Sequence, residues 1–221
     1  MALVTTLFTS NPLTLDGNLA AAAAELRGLD AAAIIEWGLR RAQAPVVTTN
    51  FRPGAAVLLH LVTQARPGIP VVWIDTGYNT PATYRYAETL RERLGLELHC
   101  YTPALSRARQ AALRGDTPRP EDRDFAAFAR AMKLEPFERA FDALRPDVWF
   151  TGVRAEQNAF RRELGVVSRG ARNTLRLAPL HTWTAADLAD HLLRHGLPDN
   201  DDYVDPTKPA PHLECGLQRL A

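Results

Sequence analysis

Short apolar runs and longer mixed stretches alternate through the middle of this chain. Pro45-Val-Val-Thr-Thr-Asn50 reads as a short buried strand, followed by the loop Phe51-Arg-Pro-Gly54 and a helix from about Ala55 to Gln64. Pro70-Val-Val-Trp-Ile-Asp75 is a second strand, ending in Thr76-Gly77, and Pro81 opens a helix that runs to about Leu94. Leu96-Glu-Leu-His-Cys-Tyr101 alternates as a third strand, Asp147-Val-Trp-Phe-Thr151 is a fourth, ending in Gly152, and Leu175-Arg-Leu-Ala-Pro179 is a fifth. A strand, loop, helix rhythm of this kind predicts an α/β fold: a parallel-type central sheet with helices on both faces.

The flanks differ. Residues 17 to 42 read as two alanine-rich helices, the second capped by Asp30 and carrying the stripe Ile34, Ile35, Leu39, which suits a packing or dimer element. Residues 103 to 124 are rich in turn formers and read as a polar, mobile connection. Helices are expected over Asp124 to Met132, from Glu135-Pro136 onward, and from Ala185 to His195 with Thr184 as cap. Asp199 to His212 is Pro- and Asp-rich without periodicity and reads as an arm that orders on demand, leading to Cys215.

Charge changes the picture little. The 221 residues carry 26 basic and 25 acidic side chains, so no global field argues for nucleic acid. No apolar run reaches membrane-spanning length, and the N-terminus lacks a basic segment followed by a long apolar one. The two cysteines cannot make a disulfide framework or supply the four thiolates of an iron–sulfur cluster, and a reducing cytoplasm fits them.

Ligands of open α/β sheets bind beyond the carboxyl ends of the strands. Three polar clusters fall there. Asn50, Phe51 and Arg52 precede a helix N-terminus, where backbone N–H groups favour phosphate. Asp75, Thr76 and Gly77 offer a carboxylate, for adenine or ribose, on a tight turn. Arg154 and Arg161, beyond Gly152, carry planar forks suited to phosphate or sulfate, with Lys133 and Arg176 adding charge. Taken singly, the arginines fit a solvated helix face and Asp75 fits a residue closing its own turn. Their convergence at one sheet edge supports an anionic, nucleotide-like ligand and names no reaction. His191 and His195 are four apart but lack the H-E-x-x-H pattern, and a solvated helix face without metal is expected. Cys100 reads as a core thiol. Cys215, on Glu214-Cys-Gly-Leu217 near the C-terminus, reads by itself as a surface cysteine.

Together the pieces resemble the phosphoadenylylsulfate (PAPS) reductase family, of the adenine nucleotide α-hydrolase-like fold. The resemblance rests on Ile74-Asp-Thr-Gly-Tyr78 with Pro81, on Lys133-Leu-Glu-Pro136, on Trp149-Phe-Thr-Gly-Val-Arg154-Ala-Glu-Gln157 with Arg161, and on Glu214-Cys-Gly-Leu217. It implies N-terminal helices over 1–43, a nucleotide-binding unit over 44–198 and a tail over 199–221 that carries a catalytic Cys215, all in a single domain. It implies attack of the Cys215 thiolate on the sulfuryl group of PAPS, with Gln157 among the substrate-binding residues. Reduced thioredoxin or glutaredoxin then releases sulfite, with no bound cofactor, in sulfate assimilation; a homodimer is implied as well. The chain departs from the pattern at Asn50-Phe-Arg-Pro-Gly54, where Ser-Phe-Gly is usual, at Ala82 for a glutamate, and at Gln218 for a histidine. Cluster-free reduction of adenylyl sulfate and a non-catalytic nucleotide-binding role remain open. An ATP pyrophosphatase would need a Ser-Gly-Gly-x-Asp-Ser loop that residues 50–54 do not supply.

Overall fold

A computed structural model describes residues 18–208. In chain order the elements are α1 (Asn18–Glu25), α2 (Ala31–Leu39), β1 (Pro45–Thr49), α3 (Ala55–Ala65), β2 (Pro70–Ile74), α4 (Pro81–Leu94) and β3 (Glu97–Tyr101). They continue with α5 (Arg107–Arg114), α6 (Phe125–Ala129), α7 (Glu135–Leu144), β4 (Val148–Phe150), α8 (Ala159–Leu164), β5 (Val167–Arg169), β6 (Leu175–Leu177) and α9 (Ala185–Arg194).

The six strands form one sheet in the order β3-β2-β1-β4-β6-β5. All neighbours are parallel except β5 and β6, which are antiparallel. Alternate residues of each strand leave the sheet on opposite faces, and the two cores follow that rule. Val47, Val71, Trp73 and Phe150 join one cluster with α2, α3 and α4. Val46, Val72, Ile74 and Trp149 join the other with Phe137, Ala140 and Phe141 of α7. Burial on both faces explains why the strands read as unbroken Val- and Trp-rich runs.

The N-terminal helices belong to this core. A Cβ on Gly38 would meet Leu177 Cδ1 at 2.4 Å and Phe150 Cζ at 2.9 Å, so α2 lies against the sheet at a distance that only glycine permits. Asp30 caps α2 by accepting from Ala33 N at 2.8 Å. Thr184 and Asp187 close a reciprocal cap on α9.

The structure corrects four expectations. The connection over 103–124 contains α5, capped by Ser106, which accepts from Arg109 N. The helix expected over Asp124 to Met132 is α6 followed by a wide π-type turn, Arg130–Leu134, running into α7. The strand β5 carries no sequence signal at all, being three half-buried residues. Residues 199–208 are held by specific bonds rather than waiting for a ligand, as described below. No helix among the described residues is long and apolar enough to cross a membrane.

Candidate functional site

Strand β1 has β2 on one side and β4 on the other, so chain direction across the sheet reverses there. Loops leaving β1, β2 and β4 diverge at this point and open a crevice beyond the strand ends. A pocket occupies it. Its apolar lining comes from Leu58, Leu188, Ile74, Phe137 and Trp149. Its polar lining includes Asn50, Thr76, Asn79 and the cations Arg52, Lys133, Arg154, Arg161 and Lys208.

The loop after β1 turns sharply. Phe51 adopts φ 51°, a left-handed conformation that costs a non-glycine residue about 1–3 kcal/mol. Its ring is fully buried and meets Trp73 edge-on at 5.0 Å, which holds the turn in place. Gly54, at φ 76°, then starts α3. The amides at that helix end are already engaged: Gly54 N donates to Asp199 Oδ1 at 2.7 Å, and Ala56 N to Tyr86 Oη at 3.2 Å. An internal carboxylate therefore occupies the position where the helix dipole favours an anion. Two of the amides expected to favour phosphate at this helix N-terminus are thus engaged within the protein.

Those cations are held by the backbone around them. Arg52 donates to Gly152 O at 3.4 Å. Arg154 donates to Trp183 O at 3.2 Å and pairs with Glu156, while its backbone N donates to Gln157 Oε1 at 3.0 Å. Gln157 Oε1 also accepts from the guanidinium of buried Arg161, so one amide ties that side chain to the Arg154 backbone. Among the described residues, the buried donors Arg154 Nε, Gln157 Nε2 and Trp73 Nε1 have no acceptor. Burial pushes the Lys208 pKa down, and the neighbouring Arg161, Lys133 and Arg52 push it further, against the opposing effect of Asp205. Among the described residues, Lys133 is paired with Asp205 and Arg154 with Glu156.

The segment 199–208 crosses the mouth. Asn200 Nδ2 donates to Phe51 O at 2.7 Å and Thr83 Oγ1 at 2.9 Å. Thr80 and Thr83 donate to Asp202 O at 2.7 and 3.0 Å, and Asn50 Nδ2 to Tyr203 Oη at 2.7 Å. Asp205 is ion-paired with Lys133 and accepts from Thr207 Oγ1 at 2.6 Å. Burial opposes the Asp205 carboxylate, but Lys133 and the Thr207 donors outweigh it, and its pKa lies below the ordinary value.

Of the residues singled out from sequence, Asn50, Arg52, Thr76, Lys133, Gly152, Arg154 and Arg161 line the pocket. Phe51 does not; it is core. Asp75 closes its own turn, its Oδ1 accepting from Gly77 N, Asn79 Nδ2 and Tyr84 Oη at 2.8–2.9 Å. Gly77, at φ 77°, shapes that turn from the surface. Gln157 bonds the backbone of Arg154 and the side chain of Arg161. Arg176 is buried in β6, donating to Ser168 Oγ at 2.9 Å over the Trp149 ring, behind the pocket wall. Cys215 lies outside the described residues. Two further readings are corrected. His191 is buried against His60 rather than solvated. Cys100 is exposed, because β3 is an edge strand. Sequence reasoning missed Asn79, Tyr203 and Lys208; the hint for the last two was their place in an aperiodic segment directly before Cys215.

Residues 44–204 match the family described as the phosphoadenosine phosphosulfate reductase domain. Phosphoadenosine 5'-phosphosulfate reductase from Xanthomonas euvesicatoria is 39% identical over 79% of this chain and 73% of its own length. The enzyme of the same name from a Synechococcus strain is 38% identical over 79% and 76%. Among solved structures, PAPS reductase from Candida auris superposes with a TM-score of 0.74, covering 85% of this chain and 90% of that one at 22% identity, a likeness of fold. FMN adenylyltransferase from Candida glabrata shares the fold more distantly, at a TM-score of 0.54 and 17% identity, over 86% of this chain and 62% of that one. A parallel sheet with a cationic pocket at its switch point and a match that spans most of the chain agree, and the chain belongs to the phosphoadenosine phosphosulfate reductase family.

Proposed function

We propose that this protein reduces 3'-phosphoadenylyl sulfate to sulfite with electrons from thioredoxin or glutaredoxin, through a thiosulfonate on Cys215. The observation that carries the reading is the convergence of Arg52, Lys133, Arg154, Arg161 and Lys208 on one pocket with an apolar half. The apolar half takes the adenine. The cations take the phosphates and the sulfuryl group, which together present more negative charge than adenylate alone.

The chemistry is thiol exchange. The Cys215 thiolate attacks sulfur, an S–S bond forms, and the bond from sulfur to the 5'-phosphate oxygen breaks. Adenosine 3',5'-bisphosphate leaves with that electron pair. A thiolate of the dithiol donor attacks the Cys215 sulfur and sulfite departs with its electron pair. The donor's second thiol then resolves the mixed disulfide and returns Cys215 as a thiol. Cations that hold the sulfuryl group also favour the thiolate when it arrives. Cys215 follows Lys208 by seven residues, a span of at most about 25 Å when extended, so the described anchor permits the approach. No bound cofactor is called on, and the pathway served is sulfate assimilation.

The test uses PAPS labelled at sulfur, mixed with the protein without donor. Label recovered on the Cys215 peptide, and released as sulfite by reduced thioredoxin, is expected. Label absent while adenosine 3',5'-bisphosphate binds would overturn the reading. Adenylyl sulfate run in parallel separates the two sulfonucleotides.

A further inference from the structure

On one face of the sheet, helices α3 and α9 meet through a group of imidazoles. Nδ1 of His60 on α3 lies 3.0 Å from Nε2 of His191 on α9. The ring of His195, one turn further along, is 4.6 Å from that of His60 and 4.3 Å from that of His191. One ring nitrogen from each of the three lies within 4.8 Å of the others. His60 and His191 are buried and His195 is exposed. None of the three lines the nucleotide pocket.

We propose that His60, His191 and His195 form a binding site for a zinc-class transition-metal ion, separate from the sulfonucleotide pocket. Tetrahedral zinc with nitrogen at about 2.0–2.1 Å places its ligand atoms roughly 3.3 Å apart. The His60–His191 pair is already near that spacing, and the exposed His195 ring already lies against both. Three imidazoles without a carboxylate suit zinc, copper or nickel and not magnesium or calcium. The exposed side of His195 leaves a fourth position to water.

Arg93 of α4 donates to His195 O at 3.3 Å, and Arg194 is paired with Asp190. These guanidinium groups add positive charge nearby and temper the affinity. A bound ion would tie α3 to α9, and α9 leads directly into the segment over the pocket mouth.

The experiment uses the full chain with Cys100→Ser and Cys215→Ser, which removes thiols that also take zinc, after chelator treatment and dialysis. Zinc is titrated calorimetrically, and cobalt is followed by its visible spectrum. One ion per chain is expected, with tetrahedral cobalt d–d bands and no thiolate charge-transfer band. His195→Gln, at an exposed position that folding tolerates, is expected to weaken binding by about a hundredfold, and His60→Gln to do the same. Absence of saturable binding, binding unchanged by His195→Gln, or an octahedral cobalt spectrum would each overturn the proposal.

Discussion

Asp205 and Lys133 are joined out of solvent across 72 positions of sequence. The pair ties the segment over the mouth to the π-type turn before α7, and it places a carboxylate beside a pocket otherwise rich in cations. Lys133 is thereby held in place by an internal anion.

Removing one partner of a buried ion pair leaves an uncompensated charge and costs about 3–5 kcal/mol. Asp205→Asn is therefore expected to lower the melting temperature of the ligand-free protein. Addition of adenosine 3',5'-bisphosphate restores more of that loss than it adds to the parent, because its phosphates offer Lys133 another anion. The sign with pH follows from the depressed Asp205 pKa. The pair stabilises fully above the unfolded carboxylate value of about 3.9 and loses its contribution as pH falls through the lower folded value. Thermal melts of parent and Asp205→Asn converge in acid and diverge toward neutrality.

Lys208 gives the opposite balance between stability and binding. Burial and then Arg161 disfavour its ammonium, so the ligand-free fold carries a cost below the depressed folded pKa that is relieved as pH rises toward the unfolded one. Lys208→Met is expected to leave the melting temperature unchanged or raised. The same variant weakens binding of adenosine 3',5'-bisphosphate by about tenfold to a hundredfold, the loss of one charged hydrogen bond. Calorimetry beside thermal melts reads both.

Asn200 bridges Phe51 O and Thr83 Oγ1 from a buried position. Asn200→Ala leaves that carbonyl without its donor, at about 1–3 kcal/mol. Faster proteolytic cleavage within 199–208 is expected, with a raised KM for the sulfonucleotide and a smaller change in kcat. Equal losses in kcat and KM terms would argue that the segment does more than shape the mouth.

Cys100 is the second thiol, and its environment is unreactive. Although the residue sits at the sheet edge, partial shielding of its sulfur and then the Asp75 carboxylate raise its pKa. In a Cys215→Ser background, iodoacetamide is expected to modify Cys100 more slowly than it modifies N-acetylcysteine at neutral pH, with the rates converging as pH rises. Cys100→Ser retains sulfite production.

What the sequence shows is what local pattern controls. Val46-Val47, Val71-Val72 and Trp149-Phe150 are apolar because the sheet is covered on both faces, and they announced their strands. Asp30 and Thr184 announced their helix starts. The cations were legible because Arg154 and Arg161 follow a strand end closely. The segment 199–208 was not, since its order comes from bonds to Phe51, Thr83 and Lys133 and leaves no period of its own. Nor was the burial of His191, which depends on His60 from a distant helix. Phe51 looked like a ligand contact by position and proved to be the ring that pins its own loop.

The bonds across the pocket mouth join residues 145 to 153 positions apart: Gly54 to Asp199, Phe51 to Asn200 and Asn50 to Tyr203. Contacts so remote in sequence close late in folding, and on a ribosome they must wait for nearly the whole chain. The floor of the pocket, built by β1, β2 and β4, has no such delay between β1 and β2. Their backbone amides are expected to exchange hydrogen only with global unfolding, while those of residues 199–208 exchange through a smaller, cheaper opening. Among the described residues, the entrance proposed for the sulfonucleotide is thus expected to assemble last and open first.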